Sequence, residues 1–123
     1  MELALLEKMA LREVEALRRQ LPPELARRAD VPVVMMARPT PAMVRDEGVD
    51  PDLLGLFMGP TCAEGVGDSG PLSPEILLFL ENLWDFAEGD IAAFREEVRV
   101  TYCHELGHYI GFDEDELAHR GLD

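Results

Sequence analysis

Cysteine, lysine and side-chain amides are all scarce in this chain, and each shortage narrows what it can be. Cys62 and Cys103 are the only cysteines, too few for the disulfide framework of a small secreted domain, so they read as free buried thiols rather than a bridge. Positive charge is short as well: 11 Lys and Arg stand against 25 Asp and Glu, for a net charge of -14. Such a chain repels phosphate backbones and anionic membranes, which excludes nucleic-acid binding and attachment to a membrane surface. No apolar run approaches the ~18 residues of a membrane span. Acids and bases alternate from Glu2 onward without the layout of a secretory signal, which predicts a cytoplasmic location. Lys8 is the sole lysine, and Gln20 and Asn82 are the only amides. Few thermolabile amides fit a thermophile, although scarce lysine runs against the usual thermophile trend.

What is present describes a folded protein. At 123 residues, with 47% hydrophobic and 29% charged side chains, the chain suits one domain, residues 1–123, with a single core. Leu3, Leu6, Ala10, Val14, Leu17 and Leu21 recur at helical steps between charged residues, and Pro22-Pro23 ends that helix. Glu24 to Arg28 forms a further short helical stretch. Val31 to Ala37 is a β-branched apolar run that reads as a strand, with Pro32 at its start. Arg38 to Asp52, with three prolines and Gly48, reads as a loop. Leu53 to Met58 is a second strand, closed by Gly59-Pro60. Thr61 to Pro71 is rich in glycine and reads as a mobile flap. Ile76 to Leu80 suits a buried strand, although Ser73-Pro74-Glu75 resembles a helix start. A last helix runs from the N-cap Asp90 to Gly111, with Ile91, Phe94, Val98 and Tyr102 in helical register. The expected architecture is α+β, a short mixed sheet of three or four strands packed against an N-terminal and a C-terminal helix.

The chemistry is concentrated at the end of that last helix, in His104-Glu105-Leu106-Gly107-His108. Positions four apart share a helix face, so His104 and His108 can offer imidazole nitrogens to one metal ion. Glu105, beside the first ligand, can reach a metal-activated water as a general base. The plainer reading is two surface histidines and a solvated acid on an amphipathic helix. Catalytic zinc takes a third protein ligand, and Gly111 points to its source, since a left-handed glycine there turns the chain back under the metal. Asp113, Glu114, Asp115 and Glu116 then come within reach.

The run from His104 to Glu114 resembles the HExxHxxGxxD motif of the Asp-zincins, most closely that of minimal zincin-like metallopeptidases of short bacterial proteins. The likeness extends to the strand at Val31, to Leu54 through Gly59 and to Ile76 through Phe79, covering most of the chain after the first helix. It implies that His104, His108 and Glu114 bind zinc and that Glu105 is the catalytic acid and base. Glu114 stands where the family has Asp; the extra methylene moves the ligand oxygen, which keeps Asp113 and Asp115 in contention. His119 is a further candidate, but its spacing does not match a three-histidine motif, and no methionine follows His108 to form a Met-turn. Tyr102 and Tyr109 are candidate oxyanion donors, with core packing the plainer role. Cys103 reads as a buried structural thiol.

The expected function is therefore zinc-dependent peptide hydrolysis, with Glu105 as general base to a zinc-activated water. The substrate, a peptide or protein segment, would lie along the edge strand Leu53 to Met58. The acidic field favours short, unstructured, basic peptides. The alternative is a non-catalytic zincin-like module that binds metal or a partner; hydrolysis of a non-peptide amide or ester uses the same residues. The assembly is expected to be a monomer or a homodimer.

Overall fold

The computed structural model describes residues 1–59 and 73–111. Five helices and a three-stranded sheet follow in the order α1 (Leu3–Gln20), α2 (Pro23–Arg28), β1 (Val33–Met36), α3 (Pro41–Glu47), β2 (Gly55–Met58), β3 (Glu75–Phe79), α4 (Leu80–Phe86) and α5 (Ile91–Ile110). No helix among the described residues is long and apolar enough to cross a membrane. The expected flap at residues 61–71 lies outside the described residues.

The strand ambiguity resolves at the centre of the sheet. β3 lies between the other two strands, parallel to β1 and antiparallel to β2. Ile76 and Leu78 face one core, with Leu6, Val14, Phe94 and Tyr102. Leu77 and Phe79 face another, with Met43, Leu53 and Leu56. A strand buried on both faces is apolar at every position rather than alternating, which is why Ile76 to Leu80 looked equally like a helix segment. Its neighbours are shorter than expected, because Val31 and Leu53 precede the paired residues.

Two helices went unread. α3 occupies part of the expected loop from Arg38 to Asp52: Pro41 sits in its first turn, Thr40 caps it by accepting a hydrogen bond from the Met43 N–H at 3.1 Å, and Gly48 ends it at φ +70°. Proline at the first turn of a helix removes no needed donor, so the prolines there mark a start rather than a loop. α4 begins directly where β3 ends, and its N-cap Phe79 supplies no side-chain hydrogen bond. Nothing at that junction signals a helix.

The first and last helices cover one face of the sheet, as expected, and α1 brings Leu6, Ala10 and Val14 into the core that holds Ile76 and Leu78. α5 crosses β2 and β3, while α1 packs mainly on α5 and α4. Met43 of α3 covers the opposite face. The α1–α5 contact holds a buried carboxylate, Glu13, which accepts hydrogen bonds from Arg99 and, at 3.4 Å, from Arg95. Beside it the Tyr102 hydroxyl accepts from Arg18 Nε at 2.9 Å, and the same guanidinium donates to the Val31 carbonyl at 2.6 Å.

Asn82 performs a similar duty at the start of β2. Its amide nitrogen donates to the Pro51 and Leu53 carbonyls at 2.8 and 2.9 Å, and its oxygen accepts from Arg38 at 2.6 Å. Removing this side chain leaves backbone carbonyls without a donor, each at a cost of ~1–3 kcal/mol when buried. One of the two amides in the chain thus fixes the approach to β2 against α4.

Candidate metal centre and adjoining cleft

α5 is bounded as its sequence predicts. The Asp90 carboxylate accepts from the Ala93 N–H at 2.8 Å, and Gly111 ends the helix at φ +101° with its N–H on the Gly107 and His108 carbonyls. The last turns therefore hold their geometry up to the residue after Ile110, and the histidines sit on a capped helix rather than on a fraying end.

His104, Glu105 and His108 converge. The two imidazole Nε2 atoms are 3.0 Å apart, the rings meet edge to face at 81°, and one ligand atom from each of the three residues falls within 4.8 Å of the others. All three are half-buried, accessible to water yet held by their surroundings. At that distance the two nitrogens can share one N–H···N hydrogen bond, with one ring as donor and the other as acceptor. Two nitrogens bound to one tetrahedral zinc at about 2.05 Å stand about 3.3 Å apart, so the observed pair fits a shared ion with a small adjustment.

The packing beneath the pair explains its position. Leu106 and Tyr109 are buried on the core side of the same turns, and the Tyr109 ring lies 5.6 Å from that of Phe57 on β2. Gly55, at the start of β2, faces Thr101: a Cβ at Gly55 would come within 2.5 Å of the threonine methyl. Only glycine lets the strand approach α5 this closely. The result is a cleft of about 350 Å³ lined by Leu53, Leu54, Gly55, Glu97, Val100 and Thr101, which opens onto His104 and Glu105.

Tyr102 and Cys103 are taken up by the core beside this cluster. Tyr102 is fully buried, with its hydroxyl committed to Arg18. Burial pushes that hydroxyl above its ordinary range, against the opposing pull of Arg18. Its role is packing in the α1–α5 contact, not oxyanion binding. Cys103 is a free, buried thiol, pushed up by burial more than Arg99 lowers it. It is the structural thiol expected from its sequence position. Glu114, Asp113, Asp115 and His119, the candidates for a third ligand, lie outside the described residues, as does Cys62.

Four residues around the site carried no functional reading in the sequence. Gly55 and Thr101 set the strand-to-helix spacing, Asn82 fixes the segment leading into β2, and Glu97 lines the cleft. Glu97, Thr101, His104, Glu105 and His108 follow steps of three and four and share one helix face. That spacing could have flagged Glu97 and Thr101; the contact at Gly55 joins residues too far apart in sequence to be read.

No curated protein matches this chain. A family model does, over residues 28–122, from α2 through the whole histidine motif, and its description is a zincin-like metallopeptidase. With an α+β fold, a mixed sheet crossed by the motif helix and a converged His-Glu-His group, the chain belongs to the zincin-like metallopeptidase family.

Proposed function

We propose that the protein is a zinc-dependent peptidase in which His104 and His108 hold the metal and Glu105 moves the proton. The observation that carries this reading is the convergence of the three side chains at the mouth of an open cleft. Two imidazole nitrogens 3.0 Å apart suit zinc, which prefers nitrogen and sulfur donors together with a carboxylate. Family resemblance supplies the third donor, Glu114, with Asp113 or Asp115 as substitutes.

A zinc ion there would supply Lewis acidity, lowering the pKa of water towards ~7 and polarising a carbonyl oxygen. The chain's own residues do the rest. Glu105 accepts the proton of the attacking water and returns it to the departing amine, so one carboxylate serves as base and then acid. β2, at the edge of the described sheet, offers its backbone to an extended peptide, which would lie beside the cleft and pass Glu105. Leu53 and Leu54 contribute an apolar wall that excludes water from one side of that path.

The test is Glu105→Gln. The amide preserves shape and cannot accept the proton, so peptide hydrolysis should fall by at least ~100-fold while zinc stays bound. Retained hydrolysis would remove Glu105 from the reaction. Zinc binding with no hydrolysis of any peptide by the native chain would instead identify a metal-binding module that lacks the chemistry.

A further inference from the structure

Of the groups that face the cleft, Glu97 has no role in the chemistry just described. It lines the cleft two turns of α5 before Glu105 and is half-buried there. No ion pair or side-chain hydrogen bond among the described residues engages it. The two arginines that neighbour it in sequence, Arg95 and Arg99, are turned to the other side of the helix and bound to Glu13, with Arg99 also on Glu96. Among the described residues, no lysine or arginine lines the cleft.

We infer that this cleft is the pocket for a basic side chain of the substrate, and that Glu97 selects it. The inference rests on the peptidase reading above and adds the substrate class to it. The walls, Leu53, Leu54, Val100 and the Thr101 methyl, suit an aliphatic stem, and Glu97, an acid two turns of α5 away from Glu105, lies among them. Lysine and arginine are built that way, with methylenes that pack on apolar surface and a cationic head that seeks a carboxylate. A purely apolar side chain would leave Glu97 desolvated without a partner, and an acidic one would meet it with like charge.

The dimensions agree. Eight residues of helix separate Glu97 from Glu105, about 12 Å along the axis. An extended peptide advances about 3.3 Å per residue. An extended peptide running along α5 covers about 10 Å in three residues, and a lysine or arginine stem leaning towards Glu97 closes the remainder, which places the selected side chain within about three residues of the scissile bond. The net charge of -14 draws cationic peptides to the molecule; Glu97 converts that general attraction into a choice at one position.

The experiment is specificity profiling of the zinc-loaded full chain on a mixture of short blocked peptides, with cleavage sites mapped by mass spectrometry. A second readout is the binding of fluorescein-labelled Ala-Gly peptides carrying one Lys, Arg, norleucine or Glu to the Glu105→Gln protein, followed by anisotropy. Lysine and arginine should be enriched about tenfold at one position near the cleaved bond, the ratio that ~1.4 kcal/mol produces. Glu97→Gln should bring that ratio close to one, and Glu97→Lys should turn the preference towards Asp and Glu. The binding series should show the same order and lose it with Glu97→Gln. Cleavage with no basic preference, or a preference unchanged in both Glu97 variants, overturns this assignment and leaves the peptidase reading intact. Absence of cleavage overturns the peptidase reading; the cleft assignment is then overturned too unless the peptides still bind in the Glu97-dependent order.

Discussion

Two faces of one helix, α5, use similar residues for opposite purposes. On the face against α1, Arg95 and Arg99 close on the buried Glu13, and Tyr102 is held by Arg18. Charge there is matched around a buried carboxylate, which orients α1 on α5. On the face against β2, Glu97, Glu105, His104 and His108 line or border an open cleft and carry donors suited to a cation and a substrate. The difference teaches how to assign roles to polar residues in a small domain. A charge satisfied by its complement within the fold serves stability, and a set of like-minded ligands turned to an opening serves chemistry.

That contrast has measurable consequences. The largest loss of stability should follow from the double change Arg95→Ala and Arg99→Ala, which strips both partners from a carboxylate buried at 5% exposure. An uncompensated buried charge costs about 3 kcal/mol or more. Thermal unfolding should show the drop while zinc binding persists in the folded fraction; an unchanged melting temperature would mean that Glu13 is not the anchor of this contact.

Gly55→Ala should cost less, about 2 kcal/mol, because its Cβ overlaps the Thr101 methyl and pushes β2 off α5. Here stability and the cleft are linked, so substrate binding should weaken together with the melting temperature. Adding Thr101→Ser removes the offending methyl and should recover much of both. Independent, additive effects in the double variant would contradict the contact. Smaller again is Asn82→Ala, about 1 to 2 kcal/mol in chemical denaturation, from the carbonyls of Pro51 and Leu53 that lose their donor. A neutral result would show that water replaces the amide there.

Much of this arrangement was legible before the fold was known. The last helix, both of its caps and the convergence of His104 with His108 follow from local spacing and capping chemistry, since four residues of helix dictate where two side chains meet. α1 and α2 were legible for the same reason. α4 was hidden because no capping residue marks its junction with β3. α3 was hidden because its prolines were weighed as breakers, although Pro41 follows the capping Thr40. The cleft could not be read at all. It depends on Gly55 meeting Thr101 and on Asn82 reaching back to Leu53, contacts between distant parts of the chain that leave no periodic trace.

The central claim is that His104 and His108 bind one zinc ion between them. Elemental analysis after zinc loading and dialysis, on protein carrying no metal-binding tag, tests it for the native chain and for His104→Ala, His108→Ala and Glu105→Gln. About one zinc per chain should be found in the native and Glu105→Gln proteins, and close to none in either histidine variant, with all four folded by circular dichroism. A native chain that holds no zinc, or histidine variants that hold as much as the native protein, would contradict the account.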